Sequence, residues 1–206
     1  MSHQLIIKTA GAPLAEGVKV LIMLHGRGGT AEDILTLSSH LAVSGYALLA
    51  PQATNNTWYP LSFMAPSAEN EPWLSSAIDI VGQTVNHALS KGVSEADIYF
   101  FGFSQGACLA LEFLARNARR YGGAVALIGG VIGQKIDRSK YAGNFEGMPL
   151  LISTSNPDFH VPVERVYATG NIFREMKADV TETVYPNAGH NINPDQVEWA
   201  NRIVFK

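Results

Sequence analysis

Only one cysteine, Cys108, occurs among 206 residues, which excludes an intrachain disulfide and fits a reducing location. Basic residues never gather beyond Arg119-Arg120 and the formal net charge is −3, so a nucleic-acid partner is not expected. No apolar run reaches the roughly 18 residues that span a bilayer, so no stable membrane insertion is expected. The start, Met1 to Leu5, lacks a basic stretch followed by an apolar export segment, which makes the cytoplasm the default compartment. The chain has no His-Glu-x-x-His, no cysteine pair and no calcium loop, so no metal and no cofactor is called for. Repeats, linkers and low-complexity tracts are also missing. What is present is a 47% hydrophobic composition, enough for one substantial core, and a single domain over residues 1–206 is expected.

Short branched apolar runs alternate with longer amphipathic ones, the pattern of a central, mostly parallel sheet flanked by helices. Strands are expected at Leu5 to Lys8, Lys19 to Leu24, Tyr46 to Ala50, Ala96 to Phe101, Ala124 to Ile128, Leu150 to Thr154 and Thr181 to Tyr185. Several are apolar at consecutive positions, as strands buried on both faces are. Between Trp73 and Leu89 the apolar residues recur every three or four positions, predicting a helix with one buried face that Gly92 stops. Val161 to Ala178 repeats that pattern. Asn193-Pro194-Asp195-Gln196 reads as a cap, a first-turn proline and a capping-box glutamine opening the last helix. Pro51 to Pro72 is irregular, and so long a loop in a small domain usually has a use.

The most informative segment is Gly102-Phe103-Ser104-Gln105-Gly106, placed between an apolar run and a helix-like stretch from Cys108. It reads as a nucleophile elbow, with two glycines leaving room for the turn that lifts Ser104 out of the backbone. A serine hydroxyl is a weak nucleophile, so Ser104 needs a base and the base needs an orienting acid. In an open parallel sheet both should come from loops at the carboxyl ends of later strands, in the order serine, acid, histidine. Asp158 follows the sixth expected strand and His190 follows the seventh. Asp158 is also the kind of aspartate found in turns, with Glu164 the next acid to test, and His160 is a second choice of base. Ser104 itself has the plainer reading of a helix N-cap.

The oxyanion of an acyl-transfer intermediate calls for preorganised amide donors. One should be Gln105, immediately after the nucleophile. The other should be Arg27 in His25-Gly26-Arg27-Gly28-Gly29, which follows the second expected strand and whose glycines allow a tight approach to Ser104. Such a loop can cradle phosphate, but it lacks a P-loop's Gly-Lys-Ser or Gly-Lys-Thr ending and the dinucleotide spacing.

These motifs together resemble the alpha/beta-hydrolase superfamily, and within it the phospholipase/carboxylesterase family that includes acyl-protein thioesterases. The resemblance is carried by Leu24 to Gly29, Gly102 to Gly106, Asp158 with Val161-Pro162, and Gly189-His190, and covers nearly all of the chain. It implies an alpha/beta-hydrolase fold without a large cap domain. Ser104 would be nucleophile, His190 base and Asp158 orienting acid, and the amides of Arg27 and Gln105 would form the oxyanion hole. His25, with Gly26 and Gly28, would support that loop rather than move protons. The implied activity is hydrolysis of short-to-medium acyl esters through an acyl-serine, with lysophospholipase or acyl-protein thioesterase as the alternative. The partner would be a small-molecule or lipid-like ester or thioester, and a homodimer is compatible with the resemblance. A noncatalytic binding protein on the same fold is the reading from another class. Three departures stand out: Ser153 to Pro157 precedes the acid in place of a His-Gly-like pair, Arg27 stands where acyl-protein thioesterases commonly carry leucine, and Asn191 follows His190 in place of an acidic residue.

In the irregular loop, Trp58 and Tyr59 have two readings, walls of a substrate pocket or a seal onto the core, while Met64 reads as packing. Cys108 lies among alanines and leucines and reads as core. The Arg27 guanidinium is expected near the pocket mouth, selecting acidic substrates, or else in an ion pair with Glu32 or Asp33.

Overall fold

The computed structural model describes residues 2–206. Seven strands, β1 (Ile7–Gly11), β2 (Val20–Leu24), β3 (Ala47–Pro51), β4 (Ile98–Phe103), β5 (Gly123–Leu127), β6 (Pro149–Asn156) and β7 (Asp179–Pro186), form one sheet in the order β1-β3-β2-β4-β5-β6-β7. All neighbours pair in parallel except β1, which runs antiparallel along β3 at the edge. Among the described residues, five α-helices cover the sheet: α1 (Ala31–Thr36), α2 (Trp73–Leu89), α3 (Gln105–Arg116), α4 (Val163–Glu175) and α5 (Pro194–Ile203). This is the alpha/beta-hydrolase arrangement, and among the described residues no large cap is inserted between its elements.

Alternation along β2 shows why both faces must be covered. Val20, Ile22 and Leu24 enter the core shared with α2, α3 and α4, whereas Leu21 and Met23 enter the core shared with α1 and α5. All five are fully buried. Such a strand has no polar face to offer water, so helices on both sides follow from its composition.

Several boundaries differ from those expected. The first strand begins two residues later than Leu5 because its place is set by pairing Ile7 to Gly11 with Pro51 to Ala47; Leu5 and Ile6 remain exposed. Residues Glu95–Asp97 form a 3-10 turn capped by the Ser94 hydroxyl, which delays the fourth strand to Ile98. The short α1 carries a capping box, with the Thr30 hydroxyl and the Asp33 carboxylate each bonded to the other's amide, but is too brief to produce a periodic signal. In contrast, α5 begins as its sequence predicts, with Asn193 as cap, Pro194 in the first turn and Gln196 closing the box.

The chain passes from β2 outward to β3 and then returns to lay β4 on the other side of β2. The crevice at the carboxyl ends of β2 and β4 is therefore a topological switch point, where open parallel sheets bind ligands. Leu24 and Gly102 are register partners at those ends, so the glycine loop and the turn holding Ser104 leave the sheet side by side.

Candidate active site

Ser104 has φ 53° and ψ −118°, a left-handed backbone that a residue with a side chain adopts only when its surroundings dictate it. Its amide donates to the Leu127 carbonyl at 2.9 Å and its carbonyl accepts from Cys108 at 3.0 Å, which ties the turn to β5 and to α3. The flanking glycines are needed for close approach. A Cβ on Gly102 would lie 2.6 Å from the Gly106 carbonyl oxygen, and one on Gly106 would collide with the Leu24 carbonyl. Helix α3 consequently starts at Gln105, immediately after the nucleophile, rather than at Cys108.

The Ser104 Oγ lies 2.8 Å from His190 Nε2, and His190 Nδ1 lies 2.8 Å from Asp158 Oδ2. The three groups come from the ends of β4, β6 and β7, in the order the sequence predicts. The Asp158 side chain is wholly buried, and its other oxygen accepts the amides of His160 at 2.8 Å and Val161 at 2.9 Å. Burial alone would raise the carboxyl's pKa. The two amides and His190 outweigh it, and Asp158 is held below the ordinary carboxylate value. His160, the second candidate for base, supplies its amide to the acid while its ring meets that of His190 edge-on at 5.1 Å.

The polar run ahead of the acid is not a loop but the end of β6. Ser153, Thr154 and Ser155 are buried, and the Ser153 hydroxyl meets the Thr183 hydroxyl at 2.7 Å and the Gln196 side-chain amide at 2.9 Å.

His25 is buried beneath the glycine loop. Its Nε2 accepts the Ala53 amide at 3.2 Å, which leaves Nδ1 to donate to the Gly26 carbonyl at 2.8 Å. Burial lowers its pKa, so the ring is neutral and structural. Gly28 has φ 81° and donates to the Asn56 carbonyl at 2.7 Å. Among the described residues, the amides of Arg27 and Gln105 donate to no protein acceptor.

A cavity of about 630 Å³ opens above Ser104, a volume suited to a small organic substrate. Its lining includes Arg27, Tyr59, Leu61, Phe63, Phe159 and His190. Trp58 corrects the expectation of a pocket wall: it is fully buried away from the cavity, stacked on His25 with centroids 4.9 Å apart and donating Nε1 to the His25 carbonyl. Tyr59 does line the cavity, although its side chain is 1% exposed. Met64 packs on the core, and Cys108 is buried at the cavity floor with its thiol pushed up to about 12.

Arg27 requires a second correction. Glu32 pairs with Lys8 and Asp33 caps α1, so neither takes the guanidinium. Instead Arg27 donates to the carbonyls of Tyr59, Pro60 and Leu61 at 2.9, 2.9 and 2.7 Å. The sequence also gave no sign of Asn70, which is fully buried and bonds both the Leu61 amide and the Ser62 carbonyl, or of Phe159 at the cavity mouth. Asn70 sits among turn residues where asparagine is ordinary, and Phe159 is a lone aromatic. Among the described residues no cluster of three or more histidine, cysteine, aspartate or glutamate side chains is arranged to hold a metal ion, and no helix is long and apolar enough to cross a membrane.

A Ser-His-Asp relay on a strand-to-helix elbow, at the switch point of this fold, defines a serine hydrolase. The family profile described as Phospholipase/Carboxylesterase matches residues 9–204, and the chain belongs to that family. A phospholipase/carboxylesterase from Dyadobacter fermentans superposes with a TM-score of 0.98 at 48% identity, covering 100% of this chain and 99% of that one. The Bacillus cereus carboxylesterase superposes at 0.79 with 20% identity over 96% of this chain and 92% of its own. Carboxylesterase SOBER1 of Arabidopsis thaliana is 23% identical over 196 residues, 87% of this chain and 86% of the relative.

Proposed function

We propose that the protein is a serine carboxylesterase that hydrolyses short-to-medium acyl carboxylic esters through an acyl-serine intermediate. The observation that carries this reading is the continuous path from Ser104 Oγ through His190 to the buried Asp158, two bonds of 2.8 Å each. As Ser104 Oγ attacks the ester carbonyl, His190 Nε2 takes its proton and Asp158 stabilises the imidazolium. The oxyanion is received by the amides of Arg27 and Gln105, a role supported by their lack of any other protein acceptor. Collapse expels the alcohol, which leaves with the proton from His190. Water then attacks the acyl-serine, giving its proton to His190, and the acid departs as Ser104 recovers its hydrogen.

The acyl or alcohol group would lie against Leu61, Phe63, Phe159 and Val161, which give the cavity an apolar side. Ser104→Ala is expected to abolish the burst of product from an activated aryl ester, with turnover falling on the order of 10⁶-fold. A retained burst would remove Ser104 from the mechanism. Labelling by a fluorophosphonate separates the enzyme from a noncatalytic binding protein, since only an activated Ser104 reacts. The lysophospholipase or thioesterase reading is favoured by one observation, the exposure of Leu61 and Phe159 at the mouth, where a longer chain would find apolar surface. Ester and thioester series of increasing acyl length decide between the two.

A further inference from the structure

The Tyr59 carbonyl oxygen accepts two hydrogen bonds, one from Arg27 Nη2 at 2.9 Å and one from Gln105 Nε2 at 2.8 Å. These donors belong to the two residues whose main-chain amides face the oxyanion in the function proposed above, and the inference rests on that reading. Gln105 also accepts the Trp58 amide at 2.9 Å, while Arg27 reaches past Tyr59 to the carbonyls of Pro60 and Leu61. Both residues therefore bond one short stretch, residues 58–61, and share the Tyr59 carbonyl within it.

We infer that the side chains of Arg27 and Gln105 are positioning residues, which set the spacing of the two oxyanion amides by clamping a shared template, the Trp58 to Leu61 backbone. The stem of the glycine loop is already fixed, because Gly106 packs directly on the Leu24 and His25 carbonyls. At the tip, the Gly28 amide is held by the Asn56 carbonyl and the Gly26 carbonyl by His25 Nδ1, but Arg27 between them has no main-chain partner of its own among the described residues, and its flanking glycines leave its peptide planes free to tilt. A guanidinium forked over three carbonyls removes that freedom at the residue whose amide must aim. Lysine cannot do the same, since an ammonium lacks the planar fork. Template residues are themselves immobilised: Trp58 is fully buried, its carbonyl accepts from His3 at 2.8 Å, and Asn70 holds Leu61. Displacement of a donor by about 1 Å is enough to lose on the order of 10²-fold in rate.

The test uses Arg27→Met and Gln105→Met, both of which keep the main-chain amide, together with their double variant and Arg27→Lys. Each single variant should lose roughly 10- to 100-fold in kcat on a neutral ester with KM changed little, and should bind phenylboronic acid more weakly by a similar factor, because the tetrahedral boronate needs both amides. Since both act through Tyr59, the double variant should lose much less than the product of the two. Arg27→Lys should resemble Arg27→Met. Circular dichroism checks folding, and if Arg27→Met does not fold, Gln105→Met carries the kcat and boronate comparison. The clamp is overturned by multiplicative losses, by a rise in KM with boronate affinity intact, or by an Arg27→Met defect confined to esters bearing a carboxylate. A wild-type enzyme that neither turns over esters nor binds the boronate would instead overturn the esterase reading.

Discussion

On the side of the cavity formed by residues 58–64, backbone polar groups are held by partners from distant parts of the chain. Arg27, Gln105, Asn70, His3 and the amide of Gly133 all bond there. Across the cavity, residues 156–162 have fewer ties: Asn187 donates to the Asn156 carbonyl, Asp158 accepts the amides of His160 and Val161, and Phe159 stands 99% exposed. The comparison separates two demands. The side nearest the amides of Arg27 and Gln105 is preorganised by many bonds, as the oxyanion role proposed for them would require, whereas the side bearing Asp158 is anchored mostly by that carboxylate and leaves Phe159 exposed at the cavity mouth.

If that division holds, the largest effect falls on the acid side and on turnover. Asp158→Asn should reduce kcat roughly 10⁴-fold with little change in melting temperature, because the amide favours the wrong histidine tautomer. Glu164, exposed in the first turn of α4, should tolerate Gln with near-normal rates, and a large loss there would reassign the acid. Asn70→Ala should do the reverse, costing about 1–3 kcal/mol of stability by leaving the Leu61 amide and Ser62 carbonyl unpaired. Chemical denaturation measures the stability loss, and an unchanged midpoint would show that the wall is not held as described.

A smaller effect is expected from Phe159→Ser. Loss in kcat/KM should grow with acyl length, to about tenfold for chains that reach the ring, and be slight for an acetate ester. Equal losses along the series would mean that the substitution disturbs Asp158 instead. The smallest effect is on pH dependence. Burial lowers the pKa of both His3 and His25, so the folded state binds fewer protons than the unfolded chain just below their ordinary value of 6.5. Their contribution is complete above that value and shrinks as the pH falls through it. Melting temperature should therefore drop by a few degrees between about pH 7 and pH 5, and less in His3→Gln.

The core and the relay were legible in the residues because each leaves a local mark. β2 is five apolar residues in a row, and Ser104 stands between glycines whose absent side chains make the elbow possible. Asp158 and His190 were readable from strand order. The wall was not, since its bonds join backbone amides and carbonyls to side chains 8 to 55 residues away and no motif encodes such meetings. Arg27 shows the difficulty: its neighbours Glu32 and Asp33 are the natural partners on paper, yet both are already committed to Lys8 and Thr30. Trp58 failed in the same way, because nothing local distinguishes an indole that lines a cavity from one stacked behind it on His25.

His3 gives the segment ahead of β1 a hold on the cavity wall. Its ring bonds the Trp58 carbonyl and the Thr54 amide while its own amide donates to the Ser76 hydroxyl, although Leu5 and Ile6 beside it are open to solvent. His3 thus behaves as a latch across the back of the cavity wall. Proteolytic clipping after Ile6, or any change that pulls His3 from its seat, would loosen the cavity wall without touching a residue that lines the cavity. A rate measured with His3 displaced would therefore report the looseness of the wall, although every residue lining the cavity is unchanged.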